Sequence, residues 1–252
     1  MKKMCKLVSV IFVCLMLSAS FVAAEEALTL EILLSKVQAN QLKVIDMYAE
    51  TTTKITSNLQ LTTDNKTGSQ TMTQKAKMWT KGTDKSKIEM ISPTKQITIT
   101  NGDQMAIINP ETGQKVIQDL SKTKNPLGGN QSDQMNLQKA MEYFNLSLKK
   151  ADAYYIITGV PKKENKFMGK MEFYIDSASW VPVKVLMYDA KNKLISQSTM
   201  EYKKIEIGKD SIWQLAKSVS NVNTPMGAMK VEMGFENIKV NEGVSDKEFE
   251  VK

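Results

Sequence analysis

The sequence predicts a mainly β protein with helices, of the α+β class, whose antiparallel sheet curls into an open or partly closed barrel. Three observations predict this fold. A long amphipathic helix stands alone near the N-terminus, about a dozen segments alternate apolar and polar residues, and tight turns separate most of them. Because a lone amphipathic helix must bury its apolar stripe on the sheet, we expect helices at the mouth of the barrel.

The first 24 residues are predicted to lie outside the fold. Three lysines precede an apolar run from Leu7 to Leu17, and small residues ending at Ala24 come before Glu25. This order is typical of a secretory signal peptide cleaved after Ala24, and the apolar run is shorter than the ~20 residues of a membrane-spanning helix. Residues 25–252 are then expected to form a single domain.

The composition excludes several classes of site. The chain of 252 residues has 34 basic groups, 27 acidic groups and no His, and every basic group is Lys. Without His, histidine metal sites and the common nucleophilic triads are excluded. Both cysteines, Cys5 and Cys14, lie in the predicted signal peptide, so the remaining 228 residues have no thiol. We therefore expect no cofactor, no metal and no enzymatic activity.

The charge also bears on possible partners. Cleavage after Ala24 removes three of the 34 basic groups and lowers the net charge from +7 to +4. An Arg-free chain without Lys clusters between aromatic residues is a poor candidate for nucleic-acid binding. Weak, transient contact with an anionic membrane surface stays open.

The N-terminal helix is predicted over Leu28–Tyr48, where Thr29 can cap it. Its apolar stripe consists of residues mostly three or four positions apart: Leu30, Leu33, Leu34, Val37, Leu42, Ile45 and Met47. The apolar period then changes to two, and Asn101-Gly102 between two such runs is a strong hairpin signal. The first strands are predicted over Tyr48–Leu61, Gln70–Lys81, Lys85–Ile91, Gln96–Thr100, Gln104–Ile108 and Lys115–Leu120.

The second half repeats this pattern after an interruption. Ser121–Asp133 is predicted to be a polar loop, and Gln134–Phe144 a short inserted helix. Asp and Glu residues stand mainly at turns and strand ends, where no pair is typical of an acid and a base. Further strands are predicted over Leu146–Lys150, Tyr154–Val160, Met168–Asp176, Val181–Tyr188, Leu194–Ile207, Ile212–Val222 and Met229–Val240.

Methionine is the positive signal for function. The chain has 17, of which three lie in the predicted signal peptide, and many of the others alternate along strands, as Met229 and Met233 do with Val231 between them. Because Met is flexible and polarizable, it suits surfaces that accept apolar shapes of varying form. Two interpretations stay open at this point: an ordinary core, and a pliable cavity for a lipid or an apolar peptide.

A series of short motifs runs through most of the predicted domain. Its members are Trp79-Thr80-Lys81, a strand that ends before Pro93, the hairpin from Ile97 through Asn101-Gly102 to Asn109-Pro110, Tyr174-Ile175-Asp176, Val181-Pro182-Val183-Lys184, and Phe235 to Asn241 followed by Val244-Ser245-Asp246 and Phe249. In order and spacing, the series resembles the LolA/LolB-like outer-membrane lipoprotein-sorting (lipoprotein carrier) family.

The resemblance implies a half-open antiparallel β-barrel, with the N-terminal helix and the short inserted helix as a lid over an apolar cavity. Family carriers take acylated lipoproteins from an inner-membrane donor complex and pass them to an outer-membrane acceptor. This implies a monomeric periplasmic carrier for the acyl chains of lipoproteins or of another lipid. The alternative is a periplasmic sensor or adaptor that uses the same fold to bind a membrane or lipoprotein partner in envelope signalling.

Alternation along the strands, together with the resemblance, predicts which residues line the cavity. They are Ile88, Met90, Ile97, Ile99, Met105, Ile107, Met171, Phe173, Ile175, Val185, Met187, Met229, Val231 and Met233. The chain departs from the family at Gly82, where the carriers have an Arg that ties the lid to the barrel. Either Lys81 or Lys85 takes over that role, or the gating differs, or the ligand is another one.

Overall fold

The computed structural model of this protein describes residues 28–61, 66–122, 142–165, 167–224 and 227–251. The predicted signal peptide lies outside these residues, as does most of the predicted helix Gln134–Phe144, whose last residue is the first residue of a strand. In the part of the chain that is described, no helix is long and apolar enough to cross a bilayer.

In the described part of the chain, an α-helix, α1 (Leu30–Leu42), precedes the strands. The hydroxyl of Thr29 caps it by accepting a hydrogen bond from the backbone N–H of Ile32 at 3.3 Å. The helix is shorter than predicted, because the chain enters the sheet at Asp46 and the residues from there onward pair with two strands. The predicted stripe is only partly buried: Leu33 is fully buried, whereas Leu42 is 69% exposed and lies on the wrong side of the helix for packing.

The described residues contain one antiparallel sheet of thirteen strands, which confirms the predicted fold class. The strands are β1 (Asp46–Leu61), β2 (Lys66–Lys81), β3 (Lys85–Ser92), β4 (Gln96–Asn101), β5 (Gln104–Ile108), β6 (Lys115–Asp119), β7 (Phe144–Ala151), β8 (Tyr154–Pro161), β9 (Lys170–Asp176), β10 (Pro182–Tyr188), β11 (Leu194–Ile207), β12 (Asp210–Thr224) and β13 (Gly227–Val240).

The strand order shows two meanders joined by the first and last strands. β1 to β6 follow one another on one side, β13 to β7 follow on the other, and β1 pairs with β13 at the seam. The edge strands of the sheet are β6 and β7, so the sheet is open and does not close into a barrel. This arrangement confirms the predicted half-open antiparallel barrel with an N-terminal helix.

Two hydrophobic clusters hold the helix and the strands together. Leu33 and Val37 of α1 pack against Ile157, Phe173 and Ile175 on β8 and β9. A second cluster lies near the seam, where Met47 and Val240 face each other across β1 and β13 and pack with Ile212. The first cluster, which contains α1, marks the face of the sheet on which the helix lies.

Candidate ligand-binding face

The strand register divides the side chains between two faces. Residues directly opposite each other on antiparallel strands point to the same side. One continuous row crosses six strands through Val185, Ser198, Ser220, Val231, Ile55 and Met72. Val185 packs on the cluster of Leu33 and Val37 in α1. We therefore call the side that contains this row the helix face.

The other side of the sheet, the outer face, is polar over the central strands. Lys54, Lys75, Lys217 and Lys230 are exposed there, at positions that alternate with helix-face residues. Lysines on a solvated face and apolar side chains on the other are the expected pattern of a sheet with one buried side. Over these central strands, the helix face is thus the apolar side of the sheet.

Methionine is concentrated on the helix face. The described strands contain ten methionines, and the pairing places all of them on that side: Met47, Met72, Met78, Met90, Met105, Met171, Met187, Met200, Met229 and Met233. A core that used methionine only as one apolar residue among several would bury mainly branched side chains, whose rotamers are better defined. On this face flexible thioether side chains stand among the branched ones, and none of the methionines of the described strands lies on the other side.

Twelve of the fourteen residues predicted to line the cavity lie on the helix face. They are Ile88, Met90, Met105, Ile107, Met171, Phe173, Ile175, Val185, Met187, Met229, Val231 and Met233. Met171, Phe173, Ile175 and Val185 belong to the helix cluster or pack against it, and the others lie beyond it on β3, β5, β10 and β13.

The remaining two residues, Ile97 and Ile99, lie on the outer face. Asn101 pairs with Gln104, so the turn between β4 and β5 has two residues, and odd positions on β4 face even positions on β5. Ile99 therefore pairs with Ala106 and cannot share a face with Met105. Predicting one face for both strands of this hairpin was a register error, which moves a whole set of side chains.

Part of the helix face is not packed under α1. The partly buried residues around the helix come from β7 to β10, and Met72 on β2 is 43% exposed. Nine apolar residues of the helix face on β1, β2, β3, β5 and β13 belong to neither cluster, and we call them the open apolar surface: Ile55, Met72, Ile88, Met90, Met105, Ile107, Met229, Val231 and Met233.

Sequence reasoning missed Ile55, Met72, Met78 and Met200 as members of this face. The signal was available for Met72 and Met78, because both stand at even positions of a strand whose odd positions are mostly polar. Met200 could not be found in this way, since residues on both sides of it along β11 are polar. Only its pairing with Ser218, and through that residue with Met233, reveals its side.

The C-terminal segment lies on the outer face of the sheet. It is held there by Lys81 and Lys85, the two lysines that the sequence offers in place of the Arg of the carrier family. Lys81 and Lys85 donate hydrogen bonds to Asp246 at 2.9 and 2.8 Å and keep the pKa of that carboxyl below its ordinary value. Phe249 is fully buried nearby. Gly82 occupies the β2–β3 turn with a φ of +60°, which favours glycine. Both lysines therefore bind the C-terminal segment and not the helix.

A small cleft also opens on the outer face. It has a volume of about 140 Å³ and lies between Tyr48, Trp79 and the residues around Gly243. Ligand pockets for small molecules usually measure about 300 Å³ or more. Burial, followed by the hydrogen bond to Glu50, raises the pKa of Tyr48 to about 12, so the tyrosine stays neutral and supplies no nucleophile. The cleft is therefore a poor candidate for the main site.

Several solved structures have a similar fold, and the match extends over nearly the whole length of each of their chains. A DUF1329 family protein from Desulfovibrio piger is 17% identical, with a TM-score of 0.56 over 88% of this chain and 97% of that one. A domain from Vibrio parahaemolyticus, described as an outer membrane lipoprotein-sorting protein, is 16% identical, with a TM-score of 0.56 over 86% and 95%. A LolA superfamily protein from Nitrosomonas europaea is 14% identical, with a TM-score of 0.53 over 89% and 98%.

Sequence comparisons add the family. No curated protein matches the chain. A family model described as "Uncharacterized protein" matches residues 82–252, more than half of the chain. This match includes β3 to β13 and hence most of the helix face. The chain therefore belongs to the family that this model describes, and its fold is that of the LolA-like outer-membrane lipoprotein-sorting proteins.

Proposed function

We propose that this protein is an exported carrier that binds the acyl chains of lipoproteins, or of another lipid, on the helix face and moves them towards the outer membrane. The observation that carries the proposal is the placement of methionine. Ten methionines on one face of the described sheet and exposed lysines on the other form a surface that accepts flexible apolar chains while the protein stays soluble.

The dimensions of the face fit an extended chain. The row from Val185 to Met72 crosses six strands, and neighbouring strands lie about 4.8 Å apart, which gives a path of about 24 Å. Each methylene moved from water onto such a surface contributes about 0.8 kcal/mol. An acyl chain of a dozen or more methylenes is therefore strongly favoured there over water, even after the entropic cost of holding it.

The cellular setting of the proposal follows from the sequence. We place the protein in the periplasm after removal of a signal peptide at Ala24, as a single domain of residues 25–252 that works as a monomer. It would receive its cargo from an inner-membrane donor complex and release it to an outer-membrane acceptor. We assign it no enzymatic activity, because its chain offers neither a His nor a thiol outside the predicted signal peptide.

Extraction of a labelled lipoprotein tests this function. Exported protein lacking residues 1–24 is incubated with inner-membrane vesicles that contain a radiolabelled lipoprotein, and the soluble fraction is then analysed. We expect a one-to-one soluble complex, and we expect native mass spectrometry of the purified protein to detect bound lipid. A non-acylated form of the same lipoprotein is the control and should stay unbound.

The same experiment distinguishes a carrier from the alternative function, a sensor or adaptor. A sensor or adaptor would form a stable complex with a membrane protein whether or not that partner is acylated. A protein that is always empty after purification and extracts no lipoprotein would contradict the carrier function. Equal binding of the acylated and non-acylated forms would favour the adaptor instead.

A further inference from the structure

Four serines interrupt the apolar helix face. Ser196 and Ser198 on β11, and Ser218 and Ser220 on β12, all point to that side, and we call them the serine island. They are half-buried. Their position at the centre of the sheet places them between the helix-covered strands and the open apolar surface.

The island has an apolar border. The cross-strand neighbours of the four serines on this face are, apart from Ser198 and Ser220 themselves, Val185, Met187, Met200, Val222, Val231 and Met233. None of these neighbours carries a charge or a hydrogen-bonding group other than a thioether. Among the described cross-strand neighbours on this face, the hydroxyls therefore find no partner except one another and the thioethers, and water or a ligand can supply one.

The hydrogen bond between Ser198 and Ser220 uses only one of their two hydroxyl hydrogens, and the other hydroxyl needs a separate acceptor. The hydroxyl oxygens of Ser198 and Ser220 lie 2.7 Å apart, and either can be the donor. Only one of the two O–H groups can lie between the oxygens, so the other is directed elsewhere. Covering it with an acyl chain without a new partner would be costly, because a buried donor must be hydrogen-bonded.

From this we infer that the serine island binds the carbonyl group of the ester or amide bond that joins an acyl chain to its head group. A carbonyl oxygen is a neutral acceptor, which matches an uncharged donor bordered by apolar side chains. A phosphate or carboxylate would instead lie among valines and methionines without a cation beside it. The chain itself then extends from the island over the open apolar surface, starting at Val231 and Met233. This inference rests on the proposed lipid-binding function and makes it more specific.

The test compares two lipids that differ only at the carbonyl. The exported protein is titrated with a lysophospholipid that has an ester-linked palmitoyl chain and with its ether-linked analogue, which has the same chain and head group. Three proteins are compared: the wild type, the double variant Ser198→Ala/Ser220→Ala, and Ser198→Thr/Ser220→Thr, which keeps the hydroxyls. Circular dichroism and urea unfolding show whether each variant is folded.

We expect the wild type and the Thr variant to bind the ester about three- to tenfold more tightly than the ether, which is the effect of one neutral hydrogen bond. The Ala variant should bind both lipids with the affinity that the wild type has for the ether. Equal affinity of the wild type for the two lipids would overturn the inference while leaving the carrier function standing. So would an Ala variant that keeps the preference for the ester. Failure of the wild type to bind either lipid would instead refute lipid binding itself, and the inference with it.

Discussion

A negative charge within the open apolar surface should abolish lipid binding, whereas the same charge one residue away should not. Met229 on β13 lies on the helix face opposite Val222 and Ser57, and the adjacent Ala228 is exposed on the outer face. The variants Met229→Glu and Ala228→Glu change the net charge equally. They place the carboxylate on opposite sides of the sheet, and only Met229→Glu also removes a half-buried apolar side chain.

The structure sets the expected magnitudes. Met229 is half-buried, so its replacement should lower the free energy of unfolding by about 1 kcal/mol, roughly half the value of a fully buried Met. For binding, a carboxylate at this point displaces the three or four methylenes that would cross the Met side chain. At about 0.8 kcal/mol each, this loss amounts to about 3 kcal/mol, or more than a hundredfold in affinity. Ala228→Glu should change both quantities by less than about 0.5 kcal/mol.

Two measurements on the same preparations check this prediction. Urea unfolding gives the change in stability, and titration with a fluorescent fatty-acyl probe gives the change in affinity. A folded Met229→Glu variant with the affinity of the wild type would refute the assignment of the open apolar surface. An equal loss of affinity in Ala228→Glu would show that the charge acts at long range and not by blocking the chain.

Three further substitutions test the packing and the electrostatics of the fold. Leu33→Ala removes a fully buried side chain between α1 and the sheet and should cost about 2–5 kcal/mol in urea unfolding; a cost below 1 kcal/mol would mean that the helix does not pack there. Phe249→Ala should cost about 3–5 kcal/mol and leave the acyl-probe affinity of the folded protein unchanged, because Phe249 lies on the outer face; a loss of affinity would contradict that placement. Hydrogen bonding by the Ser179 hydroxyl at 2.6 Å, supported by nearby backbone N–H groups, holds the pKa of Asp176 below its ordinary value. Because this pKa is lowered by folding, ionised Asp176 stabilises the protein above the unfolded pKa of about 3.9, and the stabilisation is lost as the pH falls through the folded pKa. The difference in free energy of unfolding between the wild type and Asp176→Asn should therefore shrink below pH 4. A difference that stays constant from pH 6 to pH 2 would contradict this.

Alternation within single strands could be predicted from the sequence, but the relation between strands could not. Met229, Val231 and Met233 share a face because β13 is regular over these residues. The face of Ile97 and Ile99 depends on the length of the turn at Gly102, and one residue decides it. A bulge also changes which residues share a face. In β12, for example, Lys217 pairs with Glu201 of β11, but the next residue of β11, Tyr202, pairs with Leu215, so the pairing skips one residue of β12.

The end of the helix and the role of the serines were beyond sequence reasoning for a different reason. Residues 43–48 continue the helical spacing, yet Met47 is taken into the sheet because β2 and β13 are both available to pair with it. Such tertiary competition overrides local propensity. The serines on β11 and β12 are typical of exposed strand positions, and only the register shows that they face the apolar side.

The seam between β1 and β13 has a consequence for the order in which the chain can fold. Met47 and Val240 pair although nearly two hundred residues separate them, so the first strand to leave a ribosome or a membrane channel lacks one neighbour until the last strand has followed. Contacts of such long sequence separation make folding slow. The halves of the sheet can form as local hairpins, but the face that spans them exists only once the last strand has joined the first. A chain stalled or truncated before Gly227 would therefore expose the unpaired edge of β1, which is a ready template for aggregation or for capture by a chaperone.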